Sequence, residues 1–456
     1  MRDRYLQEND MIFNNYLTEN HFKSWKEPRG KSLGGLNAIE IYLTTDCTLG
    51  CTYCYLNRHE DKLYPKEIRG DHETILKNIK MIFEWMVENE YTPGIEFFSG
   101  SALESELGFK LMELICTFFE SVPLHLRPDY ITIPTNYIFI LYDDLTARVE
   151  DYIKRVEALE IELHLSASID GLYMEQNRPF KSARRASPDV YIPEVDNRDQ
   201  AYYDKVFAFN KKYGFGFHPM VYSKNIEHWQ ENFVWFQDMF KKHGFQFTSI
   251  YLLEIRNMEW SEEQLDEYVK FIEFVMDWTF NELRRDPEKF YQFMIRSKGY
   301  NILTNSLFKN SRGTTCGLQT TLYVRAGYLK MVPCHRLSYD GYNFGGFNVE
   351  DGKISGIYAE NIDLAITVNT FDGRTQPYCE KCLLNVTCMK GCNGAQLEYN
   401  GDLFAPIPTV CDMTHRKTYA VLKKLKEYGL YERILSVIDI TARINFNMFM
   451  EIMDKK

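Results

Sequence analysis

Apolar and polar positions along the 456-residue chain switch repeatedly between a two-residue and a 3.6-residue period. Residues 38–44, AIEIYLT, read as a strand, and 73–87 carry Ile75, Leu76, Ile79, Ile82, Phe83, Met86 and Val87 at helical spacing. Further strands are expected at 95–98, 130–133, 161–168, 215–222 and 249–255, with helix-like stretches near 107–121, 143–158, 200–213 and 229–243. Strands alternating with helices in this way predict an α/β fold, a partial (β/α)6 TIM-like barrel with its chemistry at the carboxyl ends of the strands. The alternation stops after Arg256; 261–296 read as helix, 313–412 are rich in Cys, Gly and turn residues, and 417–435 form an amphipathic tail. The expected organisation is an N-terminal extension (1–37), a barrel (38–260), a helical bridge (261–312) and a cysteine-rich domain with a C-terminal helix (313–456).

Composition narrows the class. Hydrophobic content of 45% and aromatic content of 15% suffice for filled cores, and 456 residues exceed what one core organises. No run approaches the ~20 apolar residues of a membrane span, and the polar N-terminus has no signal-peptide core. A cytoplasmic protein with no membrane partner is expected. The net charge of −11, with 53 basic against 64 acidic residues and no sustained basic patch, argues against nucleic acid.

Of eleven cysteines, Cys116 sits in an apolar helical run and reads as core, whereas the other ten cluster near the two ends of the chain. In a reducing compartment that distribution favours metal ligation over disulfides. Cys47, Cys51 and Cys54 follow the first strand with C-x3-C-x2-C spacing. Three thiolates can hold three irons of a four-iron, four-sulfur cluster and leave the fourth open to a small ligand. Zinc is the competing reading, with His59 completing a Cys3His set, but small zinc sites usually staple loop-rich modules and this loop caps a strand of a large α/β domain.

The strand, the C-x3-C-x2-C loop and Tyr53 before its last cysteine resemble the signature of the radical S-adenosylmethionine (SAM) superfamily. The resemblance implies that SAM chelates the open iron and is cleaved to a 5′-deoxyadenosyl radical, the protein supplying position and electronic tuning. It extends over residues 38–257. Phe98-Ser99-Gly100-Ser101-Ala102-Leu103 stands where the family carries a Gly-Gly-Glu-Pro-like turn for the methionine amino group, and lacks the second Gly, the Glu and the Pro. IPTN (133–136) and SASIDG (166–171) match third- and fourth-strand motifs. By that likeness Ser99, Gly100, Ser101, Tyr53, Asn136 and Ser168 face the cofactor and Asp170 orders a turn. Arg178 pairs with the methionine carboxylate, a role for which Arg184 and Arg185 compete.

The second half carries Cys316 and Cys334, then C-x2-C-x5-C-x3-C (Cys379, Cys382, Cys388, Cys392), then Cys411. Two zinc-ribbon sites would use such cysteines structurally. The pattern resembles a SPASM domain, which binds two auxiliary four-iron clusters. That resemblance assigns Cys379, Cys382, Cys388 and Cys411 to an outer cluster and Cys316, Cys334 and Cys392 to an inner one with three thiolates. Three 4Fe-4S clusters and SAM are thus the implied cofactors, with a reductant such as flavodoxin or ferredoxin.

SPASM enzymes act on ribosomal peptides, so the resemblance implies an oxidoreductase that abstracts hydrogen from a precursor peptide and installs a cross-link, thioether or carbon–carbon/carbon–oxygen. Sulfatase maturases carry an Asp after the cysteine that Cys334 matches; here His335 follows, an imidazole able to act as base near neutral pH, which places formylglycine formation second. A small-molecule substrate, or a non-catalytic zinc or electron-transfer role, completes the alternatives. The 37 residues before the barrel leave no room for a leader-binding module of ~80 residues, so a separate recognition protein is expected. The loop 177–199, basic then acidic, lies at the catalytic end of the barrel and reads as a solvated loop or a substrate contact.

Overall fold

The computed structural model describes residues 29–31, 36, 38–56, 70–98, 100, 102–181, 190–193, 196–245, 252–255, 259–283, 307, 318, 321–339, 341–388, 391–436 and 438–455. In chain order the elements are β1 (Ala38–Tyr42), α1 (His72–Glu88), β2 (Gly94–Phe98), α2 (Glu106–Glu120), β3 (Tyr130–Thr135), α3 (Asp143–Ala158), β4 (Glu162–Ala167), α4 (Gln200–Tyr213), β5 (Met220–Val221), α5 (Trp229–Lys242), β6 (Leu253–Glu254) and α6 (Glu262–Leu283). There follow β7 (Thr321–Arg325), β8 (Lys330–Val332), β9 (Gly345–Glu350), β10 (Lys353–Ala359), α7 (Ile362–Thr370), α8 (Asn393–Asn400), α9 (Pro408–Glu427), α10 (Tyr431–Ser436) and α11 (Ile440–Met453). The chain divides into two compact units, 28–219 with 316–371, and 220–315 with 1–27 and 372–456.

The first unit is built on an eight-stranded sheet of order β10-β9-β8-β7-β1-β2-β3-β4. Strands β7, β1, β2, β3 and β4 run parallel, so their carboxyl ends share one edge, and β8–β10 continue antiparallel. The sheet therefore reaches past the expected end of the barrel at residue 260 and takes in 321–359. Alternation sorts its two faces. Ile39, Ile95, Ile131 and Leu163 stand in register on one face with Ile41, Phe97, Ile133 and Leu165, all buried. The buried stripes of α1, α2 and α3, among them Ile79, Phe83, Leu111, Ile115 and Ile153, complete that core. Each such side chain contributes about 1.5–3 kcal/mol on burial. The opposite face carries a polar row, Tyr323, Glu40, Glu96, Thr132 and His164, one residue from each of the five parallel strands.

Local signals set the helix starts. Asp71 accepts from the Thr74 N–H, Ser105 from Gly108, and Asp199 from Ala201 and Tyr202, each satisfying first-turn donors that helix geometry leaves unpaired.

The second unit contains a separate two-stranded parallel sheet, β5 with β6. The expected strands 215–222 and 249–255 thus survive as paired dipeptides. Helix α6 lies along α9: the Phe280 and Tyr428 rings stack at 3.9 Å, Lys424 Nζ lies 2.9 Å from Asp277, and Arg416 donates to Asp266 at 2.7 Å. Lys417 reaches the buried Glu254 carboxylate at 2.7 Å. These contacts fix α9, which carries Cys411. Among the described residues no helix is long and apolar enough to cross a membrane.

Gly94 opens β2 with the Tyr130 ring over its Cα, where a Cβ would lie 2.0 Å from the ring. Gly94→Ala should therefore destabilise the first unit by about 1–3 kcal/mol through overpacking, seen as a lower denaturant midpoint; an unchanged midpoint would show that Tyr130 yields freely.

Candidate functional site

The cysteine loop begins where β1 ends. Thr48, Leu49, Gly50 and Thr52 are held by the segment after β4: Gly50 N–H donates to Pro179 O at 2.7 Å, Thr52 N–H to Asn177 O at 2.9 Å, and Lys181 N–H to Thr48 O at 2.8 Å. Leu49 and Phe180 form an antiparallel bridge. The first residues of the 177–199 segment are therefore the clasp of the cysteine loop. Arg184 and Arg185 lie outside the described residues, as do Ser99, Ser101, His59 and Cys316.

A second clasp is made by side chains. The Tyr53 hydroxyl donates to Asp170 Oδ2 at 2.5 Å, Asp170 pairs with Arg178 at 3.6 Å, and Arg178 donates to the carbonyl of Ser168. Asp170 and Arg178 are both buried, so the ion pair sits in a medium where each charge needs the other. Tyr53, Ser168, Asp170 and Arg178 thus come together, with Arg178 engaged by protein groups. Burial pushes the Cys51 thiol up to about 12, while the Arg178 charge draws it down and Cys54 and Cys47 push it further up. His218, also beside Arg178, is lowered to about 4, first by burial and then by that charge.

A third contact closes the loop from β2. Gly100 lies so near the loop that a Cβ would stand 2.2 Å from Asp46 O and 2.6 Å from Cys47 Cβ. Asn136, at the end of β3, donates to Thr48 Oγ1 and through its carbonyl accepts from Tyr202 at 3.2 Å. Gly100, Asn136, Ser168 and Asp170 stand just past the carboxyl ends of β2, β3 and β4.

Among the described residues no three His, Cys, Asp or Glu side chains converge as ligands of a single ion would. A four-iron cluster takes one thiolate per iron, so its donors surround a cube without meeting at a point. Cys47, Cys51 and Cys54, close enough for their charges to interact and set beside a buried guanidinium, fit that donor arrangement.

His335 follows Cys334, which is buried. Its ring lies flat on Phe98, with centroids 4.3 Å apart and planes at 7°, and Nδ1 is 2.8 Å from Glu40 Oε1. Tyr55, just beyond Cys54, flanks both rings and is covered by the Arg336 guanidinium at 4.5 Å. Glu40 was not singled out from sequence. Its signal is an ionisable residue inside an otherwise apolar strand, repeated at Glu96, which stands beside it in register and accepts from the Tyr130 hydroxyl at 2.9 Å. Burial, then the Glu40 charge, raises the Glu96 carboxyl above its usual range.

Glu104 was missed as well. It ends the turn Ala102–Glu104, is fully buried, accepts from Thr135 at 2.7 Å, and faces the amides of Tyr137, Ile138 and Phe139. Desolvation lifts it to about 7 against those hydrogen bonds.

In the second unit, Cys379, Cys388, Cys392 and Cys411 line one cavity with Gly391, Ile407 and Val410; it holds 390 Å³ of atom-free space including its open mouth. Four half-buried thiols around one space fit a cluster, with Cys392 standing beside three cysteines of the expected outer set. Cys382 Sγ is 3.4 Å from His415 Nε2.

No protein-family model and no curated protein matches the sequence. Among solved structures, the anaerobic sulfatase-maturating enzyme anSMEcpe with bound AdoMet aligns at TM-score 0.53 and 16% identity, over 91% of this chain and 98% of that one. The same enzyme with AdoMet and the Cp18Cys peptide gives 0.52 at 16%, over 86% and 99%. SuiB of Streptococcus suis with its precursor peptide SuiA gives 0.45 at 13%, over 82% and 76%. The likeness to anSMEcpe shows the fold, an α/β TIM-like barrel with a cysteine-rich C-terminal region, as the sequence implied.

Gly100→Ala should displace the Asp46–Cys47 backbone; if the loop holds a four-iron cluster, the irons bound after reconstitution should fall by about four, and full iron retention would remove Gly100 as a constraint. For Glu104, the folded carboxyl holds its proton to about pH 7 and the unfolded one only to the usual 4.5. Its contribution is thus complete below 4.5 and lost, by ~3 kcal/mol, as pH rises through 7. Glu104→Gln should flatten the pH dependence of the melting temperature between 5 and 8; parallel curves would exclude this carboxyl as the source.

Proposed function

We propose that the chain is a radical SAM enzyme that modifies a ribosomally made peptide. The observation that carries the reading is the three-cysteine loop at the carboxyl end of β1, held by backbone bonds to 177–181 and closed by Gly100. Cys47, Cys51 and Cys54 would hold the cluster. When bound, the cluster and SAM supply a carbon-centred radical able to take hydrogen from an unactivated carbon. The turn around Gly100, with Asn136, Ser168 and Arg178, would receive SAM. The peptide assignment is supported by the fold, shared with anSMEcpe, whose structure includes the Cp18Cys peptide, and by the second cysteine set around its own cavity.

The chain's own residues have definable tasks. The Tyr53–Asp170–Arg178 clasp orients the loop and keeps a positive charge beside thiolates that would otherwise repel one another. Phe98 and Tyr55 exclude water from one side of His335. With Glu40 as acceptor, the imidazole keeps its proton at Nδ1, making Nε2 the basic atom. His335 is our candidate for the group that takes a proton as the substrate is oxidised.

Cross-linking, by a thioether or a carbon–carbon or carbon–oxygen bond, is the preferred outcome. The second reading, oxidation of Cys or Ser to formylglycine, is favoured by the Glu40-braced imidazole directly after Cys334. A flavodoxin or ferredoxin would deliver electrons, and a separate protein would present the leader.

Anaerobically reconstituted protein should hold about twelve irons and convert SAM to 5′-deoxyadenosine under reduction. Cys47→Ala/Cys51→Ala/Cys54→Ala should abolish that conversion and retain about eight irons. A short peptide encoded beside the gene should lose two hydrogens on co-expression if cross-linked, by mass spectrometry. Colourless, zinc-loaded protein would sink the reading outright.

A further inference from the structure

Cys382 and His415 form a pair that the peptide-modifying reading does not use. His415 lies one turn after Cys411 on α9, so both occupy one helix face. Cys411, Val410 and Thr414 line the four-cysteine cavity, whereas His415 Nε2 points to Cys382 Sγ at 3.4 Å. Phe449 of α11 packs edge-on against the imidazole, with centroids 5.7 Å apart and planes at 62°, restricting its rotation. Helix α9 is in turn pinned to α6 by Arg416, Lys424 and Tyr428, so the imidazole is placed by a braced element.

We propose that His415 is a positioning and tuning residue of the auxiliary cluster that Cys382 ligates, donating an Nε2–H hydrogen bond to the Cys382 sulfur. The inference rests on reading Cys379, Cys382, Cys388 and Cys411 as the ligands of one cluster, so that Cys392, which also lines the cavity, serves another. Ligands on separate irons stand apart around the cube, so an imidazole nitrogen at hydrogen-bond distance from a ligating sulfur takes the role of donor to that sulfur. Reduction adds an electron that spreads onto the thiolate ligands, and a donor stabilises the more negative state. The bond therefore raises the cluster's reduction potential and makes it the better electron acceptor. Such a group would accept the electron left when a substrate radical is oxidised, and must then pass it to an external acceptor such as the ferredoxin or flavodoxin named above.

The test uses the full chain with Cys47→Ala/Cys51→Ala/Cys54→Ala, leaving only the auxiliary clusters, in potentiometric titration followed by EPR. In His415→Leu one auxiliary signal should shift to lower potential by about a tenfold change in its oxidised-to-reduced ratio, about 59 mV for one electron. His415→Gln, which keeps an N–H donor, should recover most of the shift at unchanged iron content. Pulsed EPR of protein labelled with ¹⁵N-histidine supplies a readout without substitution: a weak nitrogen coupling, as through a hydrogen bond, is expected. Potentials that agree within twofold in that ratio, a coupling of ligand size, or no coupling would each overturn the inference. If this chain binds no iron at all, the auxiliary-cluster reading itself fails and the inference with it; if the clusters are present and the potential does not move, only the inference fails.

Discussion

The absence of a side chain at Gly100 is the constraint on which the first unit's site depends. With Asp46 O and Cys47 Cβ where a Cβ would stand, the tip of β2 sets how the chain leaves β1. The remaining contacts follow from parallel pairing, which brings the carboxyl ends of β1 to β4 to one edge and lets the segments after β3 and β4 reach the same loop. Asn136 comes from the first of these segments, and Asp170, Arg178 and the 177–181 clasp from the second.

Polar groups on the sheet's other face belong to the same geometry. A parallel sheet covered by helices on one side can afford ionisable residues on the opposite side only if they are partnered. Glu40 meets His335, and Glu96 meets Tyr130. Because β7 pairs with β1 and β8 runs back antiparallel to it, the turn after β8 packs on the face that carries Glu40 and Phe98, where His335 meets both. The antiparallel extension β8–β10 thus contributes to the site as well as lengthening the sheet.

Much of this was legible in sequence, and the parts that were not share a cause. Strands β1 to β4 and helices α1 to α5 fall within a few residues of their expected positions, because a buried face imposes periodicity. Motifs singled out Tyr53, Asn136 and Arg178, which the structure gathers around the cysteine loop. The clasp between 48–52 and 177–181 was hidden because it is made by backbone groups, which any residues supply. Pairing of β7 with β1 was hidden because the two strands are far apart in sequence and neither carries a register mark. Glu40 and Glu96 were visible in principle, as charges inside apolar strands; Glu104 was not, since a Glu after a turn is ordinary on the surface and only burial makes it otherwise.

The two thiol groups differ in what surrounds them, and the difference bears on how each would bind iron. Cys51 is half-buried like the C-terminal thiols but stands beside the buried Arg178, and desolvation pushes its thiol up to about 12 against that charge. Ligation there must displace protons, so cluster affinity at that loop is coupled to pH and to the buried guanidinium that offsets the new negative charge. The cavity of Cys379, Cys388, Cys392 and Cys411 is lined by apolar Ile407 and Val410 and is open at its mouth, with half-buried thiols. Water can solvate part of a cluster's charge there, and protein hydrogen bonds then become the finer control over its potential. On the reading proposed above, the first site would hold three thiolates beside a fixed cation, and at the second the protein groups around the cavity would adjust the energy of an added electron.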